Sequence, residues 1–156
     1  MRDVNAEADL EALYRLDQLC FEPGIAYSRP QIRRFLGFAT ARGVVAEAGG
    51  RIVGFALGYQ VRRRVASVLT LDVDPNFRRR GLGKTLMAEL LRRLAADGAA
   101  ETRLEVDVRN SGAIAFYEGL GFRRLRRLED YYAQGRPAFE MGLRGTAAGS
   151  RPEETP

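Results

Sequence analysis

Residues 73–85 read Val-Asp-Pro-Asn-Phe-Arg-Arg-Arg-Gly-Leu-Gly-Lys-Thr. An apolar run, Val68-Leu69-Thr70-Leu71, leads into this stretch, and Leu82, Leu86, Leu90, Leu91 and Leu94 lead out of it at helical spacing. The pattern predicts a strand, a basic glycine-bearing turn and a helix. A helix start offers unpaired backbone N–H groups and the positive end of a dipole. Gly81 and Gly83 carry no Cβ, so a bulky anion can approach the backbone there. Anions bind such termini for these reasons, and the N–H groups from Arg79 through Lys84 are the expected donors. The plainer reading is a surface turn that happens to be basic.

Two known phosphate motifs do not fit. Gly83-Lys84-Thr85 imitates the end of a P-loop, but position 78, where that motif needs glycine, is Arg78. The dinucleotide fingerprint needs a third glycine at position 86, which is Leu86. What remains is Arg-x-x-Gly-x-Gly from Arg78 to Gly83.

Working outward, residues 6–21 read as an amphipathic helix carrying Leu10, Leu13, Tyr14, Leu16 and Leu19, ended by Glu22-Pro23-Gly24. Ser28 is placed to cap a second helix, with Pro30 in its first turn and Ile32, Phe35, Leu36 and Ala39 on one face. Residues 44–48 and 51–60 form a predicted hairpin about Gly49-Gly50. Residues 65–73 are the strand before the basic turn, and the helix after it runs to Ala96. Leu104, Val106 and Val108 alternate with Glu105, Asp107 and Arg109, a one-sided strand. Asn110-Ser111 opens a last helix that Gly121 closes, and 122–128 with 138–143 read as a closing pair of strands. The order predicts an α+β fold (α/β mixed sheet) with about four helices. Residues 1–144 read as a single domain. Residues 145–156 have little to bury and are expected to form a disordered tail.

The composition, 46% hydrophobic and 29% charged over 156 residues, is that of an ordinary globular chain. No apolar run approaches the roughly 20 residues of a membrane span. The polar start lacks a signal-peptide apolar region, so a cytoplasmic location and no membrane partner are expected. A single cysteine, Cys20, excludes an intrachain disulfide. It lies beside Leu16, Leu19 and Phe21 and reads as a buried structural thiol rather than a reactive one. The chain has no histidine. That removes Ser-His-Asp and Cys-His machinery and the usual histidine metal sites, so no metal is expected. Any general base is Glu, Asp, Tyr or a lowered amine. The net charge of +5 comes from 24 arginines and Lys84. Clusters at 62–64, 78–80, 123–124 and 126–127 suit an anionic ligand or acidic partner, but only 78–80 sits where a phosphate would.

A second constellation lies at Leu104-Glu105-Val106, Asn110, Ala113 through Glu118, and Leu120-Gly121-Phe122. Together with Arg78-x-x-Gly-x-Gly after a strand ending in Val-Asp-Pro, it resembles the GNAT superfamily of N-acetyltransferases. It looks most like the ribosomal-protein alanine N-acetyltransferase (RimI-like) branch, over about residues 44–143. The resemblance implies acetyl-coenzyme A as cofactor. Its pyrophosphate would lie on the loop of Arg78, Arg79, Arg80, Gly81, Leu82, Gly83, Lys84 and Thr85, and its pantetheine arm along the main chain of Leu71, Asp72 and Val73. It implies Glu105 as general base, with Asp107 as rival on the same strand face and a solvated glutamate as the plainer reading. Tyr117 matches the family's donor to the departing sulfur; the alternative is a core aromatic. Asn110 is either a helix cap or a cofactor contact. Tyr131 and Tyr132 resemble the tyrosine pair that holds an incoming peptide, or are amphipathic aromatics at a hairpin.

The opposite wall is expected from residues 21–27, including Glu22 and Tyr27, where the chain departs from the branch's shorter pattern. The family's first strand would lie in residues 1–4 and is either vestigial or abbreviated here. The implied reaction is transfer of an acetyl group from acetyl-coenzyme A directly to an amine. The leading acceptor is a protein N-terminal α-amine, such as that of a ribosomal protein. Small amines (a polyamine, an aminoglycoside, an amino acid) are the alternative. A non-catalytic basic module binding RNA or the ribosome is a third reading, for which no RNA motif is present. A monomer or a dimer both fit.

Overall fold

The computed structural model describes residues 1–145; the expected tail lies, from residue 146 on, outside the described residues. Among the described residues seven strands are formed: β1 (Arg2–Asp3), β2 (Arg42–Ala48), β3 (Arg51–Arg62), β4 (Val65–Val73), β5 (Glu101–Asp107), β6 (Arg123–Leu128) and β7 (Ala138–Arg144). Four helices accompany them: α1 (Leu10–Cys20), α2 (Arg29–Leu36), α3 (Leu82–Ala96) and α4 (Ser111–Gly119). The strands hydrogen-bond in the order β1-β2-β3-β4-β5-β7-β6. β4 and β5 run parallel at Val65–Ser67, while β5·β7 and β6·β7 are antiparallel. The result is the mixed α+β sheet that the element order predicts. The chain divides into two compact units, residues 1–59 with 68–90, and residues 60–67 with the chain from Leu91 on.

In the first unit the core gathers Leu10, Leu13 and Leu16 of α1, Ile32 of α2, and Val45, Phe55 and Leu57 of the sheet. Leu19, expected on the apolar face of α1, is 65% exposed, and Asp17 is buried in its place. The helix begins at Leu10 rather than residue 6. The Asp9 carboxylate is engaged by the Arg2 guanidinium at 2.8 and 2.9 Å and by the Asn5 N–H at 2.7 Å, which holds residues 5–9 in a turn. The first strand is real but two residues long, with Arg2 opposite Val45 and Asp3 opposite Val44. Ser28 does cap α2: its hydroxyl accepts from the Gln31 N–H, and the Gln31 side chain accepts from the Ser28 N–H, a complete capping box.

The second unit contains the antiparallel β5-β7-β6 arrangement and α4. In β5, Thr102, Leu104 and Val106 are buried, while Glu101, Arg103 and Glu105 are half-buried on the other face. β6 carries four arginines and is the last strand of the sheet. Charged side chains on such an edge discourage pairing with another chain. Among the described residues no helix is long and apolar enough to cross a membrane.

Candidate active site

In the first unit the basic turn is built as expected, with one addition. A short 3-10 turn, Pro75–Phe77, precedes it, capped by the Asp74 side chain accepting from the Asn76 N–H. Asp74 is itself fixed through its N–H to the Val53 carbonyl at 2.8 Å. The first helical bond of α3 runs from the Thr85 N–H to the Gly81 carbonyl at 3.1 Å. Leu82, Gly83 and Lys84 therefore lie ahead of it, where helical geometry supplies no acceptor for their N–H groups. Gly81 has φ +77° and Arg79 has φ +64°. Left-handed residues of this kind build anion-binding concavities, and an arginine held there costs about 1–2 kcal/mol. A Cβ built on Gly81 would meet nothing within 4 Å, so the space above the turn is open.

Arg80 lies over the Phe77 ring at 5.1 Å. A recess of about 280 Å³ beside the turn is lined in part by Val53, Phe77, Arg80, Leu82 and Thr85. The turn thus fits an anionic phosphate group: an open concavity, a helix start and exposed arginines at 78–80. Gly54, absent from the sequence reading, fixes the turn's position. A Cβ there would come within 2.9 Å of Leu86 and 3.2 Å of the Asp72 carbonyl, so α3 sits on β3 only because position 54 has no side chain.

β4 presents Leu71 and Val73 on one face, and Asp72 on the other. The Asp72 side chain is fully buried, so any cofactor contact it makes is through the main chain. The Val73 carbonyl accepts from the Arg78 Nε at 3.0 Å and from the Cys20 thiol at 3.4 Å. Arg78 is thus turned back onto the strand. Cys20 is half-buried, and burial together with the nearby Asp72 pushes its thiol up to about 11. Such a thiol is protonated at neutral pH and no nucleophile. Tyr27 is bound at three points: its N–H to Asp17 at 2.7 Å, its carbonyl to the Gln18 amide at 2.8 Å, and its hydroxyl to the Leu69 carbonyl at 3.1 Å. It fastens the segment after α1 to β4. Glu22 is exposed, and its carbonyl accepts from Ile25 and Ala26.

In the second unit, Glu105 is half-buried on β5, and the Tyr131 hydroxyl donates to its Oε1 at 3.0 Å. Burial raises its proton affinity above the ordinary carboxylate range; the Tyr131 bond opposes this and the charge of Glu140 adds to it. Asp107 is differently placed. It accepts from the Arg136 guanidinium at 2.7 Å and the Arg109 N–H at 2.9 Å, which fixes the approach to β7. Its carboxylate is ion-paired with Arg136 and Arg109, whereas that of Glu105 accepts from a tyrosine hydroxyl.

Tyr131 packs edge-on against Tyr132, with ring centroids 4.9 Å apart. Tyr117 packs against Phe116 and the buried Phe122. Asn110 is the cap of α4, its side chain accepting from the Ala113 N–H at 3.1 Å. Sequence reasoning brought Glu105 and Tyr131 to the site separately but gave no sign that they bond. It missed Glu140, which lies directly opposite Glu105 across β5 and β7. No local signal reveals it, because the register of two strands 30 residues apart is a tertiary matter.

The Acetyltransferase (GNAT) family matches residues 10–122. The [ribosomal protein bS18]-alanine N-acetyltransferase of Escherichia coli (strain K12) is 32% identical over 127 residues, covering 80% of this chain and 81% of that protein. The crystal structure of the ribosomal-protein-S18-alanine N-acetyltransferase from Escherichia coli superposes with a TM-score of 0.81 at 29% identity, covering 96% of each chain. A structure of the NatC complex bound to Gag peptide and CoA is similar at 25% identity and a TM-score of 0.79, covering 93% of this chain and 97% of that one. The family match, the relatives and the fold agree: the chain belongs to the GNAT family of acetyl-coenzyme A-dependent acetyltransferases.

Proposed function

We propose that this chain acetylates the α-amine at the N-terminus of a protein, with Glu105 as general base and Tyr117 as donor to the leaving group. The observation that carries the reading is Glu105 itself. It is a half-buried carboxylate of raised proton affinity, held by a tyrosine hydroxyl rather than locked in an ion pair. The two Escherichia coli relatives act on a ribosomal-protein alanine, and the NatC structure holds a peptide beside CoA.

Bound acetyl-coenzyme A supplies an acetyl thioester, with coenzyme A leaving as a thiolate. The N–H groups of Leu82, Gly83 and Lys84, with Arg79 and Arg80, would hold its diphosphate. An amine at neutral pH is mostly ammonium and attacks only after it loses a proton, which Glu105 accepts at its carboxylate. Tyr117 donates at its hydroxyl to the departing sulfur. No enzyme nucleophile is required, in keeping with a protonated Cys20. Tyr131 and Tyr132 flank the incoming backbone, and Tyr131 keeps the Glu105 carboxylate oriented.

The test is mass spectrometry of a peptide library incubated with acetyl-coenzyme A, beside a panel of polyamines, aminoglycosides and amino acids. Acetylation of peptide α-amines is expected. Transfer to the small amines alone would replace the acceptor. Salt-sensitive RNA binding with no thiol release for any amine would replace the enzyme reading with the non-catalytic one.

A further inference from the structure

Glu105, Glu140 and Arg126 form one lateral row across three strands. Glu105 is opposite Glu140 across β5·β7, and Glu140 is opposite Arg126 across β6·β7. Side chains so paired lie about 4.5–5.5 Å apart at Cβ, and like charges directly opposite one another destabilise a sheet. The fold tolerates that cost here. Glu140 is also nearly buried, where an unpaired carboxylate is expensive.

Its partners explain how it is kept. The Arg126 Nε donates to Glu140 Oε1 at 3.1 Å, and the Arg103 guanidinium approaches the same oxygen at 3.5 Å. Arg103 is held from its other side by Glu101 at 3.0 Å. Both arginines are near enough to act on the Glu105 charge, yet both are bonded elsewhere.

We propose that Glu140 is a positioning residue for Glu105: it captures the guanidinium group of Arg126, while Glu101 holds that of Arg103, and so leaves the Glu105 carboxylate with Tyr131 as its hydrogen-bond partner, outside an ion pair and able to take the acceptor's proton. The proposal rests on the reading of Glu105 as the base. In the absence of Glu140, Arg126 would turn to the remaining anion of the row, while Arg103 keeps Glu101. A carboxylate bonded to a guanidinium holds its charge too firmly to serve as a base near neutral pH. The groups facing Glu105 within this unit act in a known sense. Glu140 raises its proton affinity; Arg103, Arg126 and the Tyr131 hydroxyl lower it. Asp107, two residues along β5, is neutralised by Arg136 and Arg109.

The proposal makes opposite predictions for two variants, read on the full chain by NMR titration of carboxyl-¹³C-labelled glutamate, with the Glu105 signal identified by its loss in Glu105→Gln. In Glu140→Gln the Glu105 midpoint falls by about one pH unit, because a repelling anion is lost and the Arg126 cation is released. In Arg126→Gln it rises, because Glu140 is left less neutralised. Arg126 is largely exposed, so this variant folds even if Glu140→Gln does not. In the double variant the midpoint returns towards that of the native chain. A charge acting through space alone moves both midpoints in these same senses, so capture is read on the Arg126 Nε–H signal, identified by its loss in Arg126→Gln. In Glu140→Gln that signal should follow the Glu105 titration. An Arg126 signal that does not, or midpoints unchanged in folded variants, overturns the proposal. The pH profile of kcat with an alanine-led synthetic peptide separates the two readings. If the acid limb of that profile follows the NMR midpoint in each variant, both stand. If the midpoint moves and the profile does not, Glu140 positions Glu105 as proposed, but Glu105 is not the base.

Discussion

At the scale of single residues, chemistry rests on a few polar atoms whose neighbours are fixed. Replacing Glu105 by glutamine removes the proposed proton acceptor with little change in shape, and on that proposal turnover at saturating substrates should fall by roughly 10²–10⁴-fold. The KM for acetyl-coenzyme A should change little. Because Glu105 has a raised proton affinity and the proposed base must be ionised, the rate of the native chain should drop on the acid side at a pH above the ordinary carboxylate range. A kcat profile with no such limb would remove Glu105 from the mechanism. Tyr117→Phe should slow turnover without unfolding the protein, since the ring keeps its packing on Phe116 and Phe122. Cys20 gives a contrasting expectation. With its thiol pushed up to about 11, alkylation at pH 7 should run on the order of a hundredfold slower than for a free cysteine. Rapid labelling in the folded state would contradict this.

At the scale of elements, the turn between β4 and α3 depends on two glycines for two different reasons. Gly81 needs a left-handed backbone, and nothing crowds its Cβ position. Gly81→Val should therefore cost the fold only about 1–2 kcal/mol. The added side chain would fill the open space, and acetyl-coenzyme A affinity, read by titration calorimetry, should fall at least about tenfold. Gly54 is the reverse case, with ordinary backbone and no room. Gly54→Val should cost about 1–3 kcal/mol in denaturant unfolding, because Leu86, Leu82 and the Asp72 carbonyl must move. Coenzyme binding should weaken too, through displacement of the first turn of α3. If Gly54→Val bound the coenzyme normally, the seat of that turn would lie elsewhere.

At the scale of the whole molecule, a buried acid pair links stability to pH. Asp17 of α1 and Asp72 of β4 are both fully buried. Thr70 donates to one oxygen of Asp72 at 2.5 Å, and the Tyr27 N–H donates to one of Asp17. Among the described residues Oδ1 of Asp17 and Oδ2 of Asp72 have no hydrogen-bond partner, and the two carboxyls interact, so one proton between them would satisfy both. Burial raises the proton affinity of both groups, and that of Asp72 most. The folded chain therefore holds this proton more tightly than the unfolded chain does. Stability from the pair is complete below the ordinary carboxylate range and is lost as pH rises towards the raised value. Asp72→Asn supplies an amide donor in place of the proton. It should flatten this alkaline decline and raise Tm at pH 8, by roughly 2–4 °C for each kcal/mol gained. A variant whose melting temperature falls in parallel with the native chain across pH 6–9 would show that the pair is not responsible.

The sequence by itself determined the local events. Ser28 and Gln31 lie close enough along the chain to close a capping box. Leucine spacing marks α3, and Arg78 to Gly83 specifies a basic turn at its start. The motif around Glu105 and Tyr117 was legible too, because residues of one strand and the next helix keep fixed spacings. Tertiary structure alone decided the pairings. The Tyr131 hydroxyl meets Glu105 across 26 residues, and the Tyr27 hydroxyl reaches the Leu69 carbonyl 42 residues on. Asp17 is buried where Leu19 was expected, because Asp72 and the Tyr27 N–H offer it partners that a leucine could not use. Glu140 meets Glu105 by strand register alone. Hydrophobic periodicity fixes which face of an element turns inward, but says nothing about which residue of a distant strand arrives opposite. That choice belongs to the sheet, and the charge environment of Glu105 follows from it.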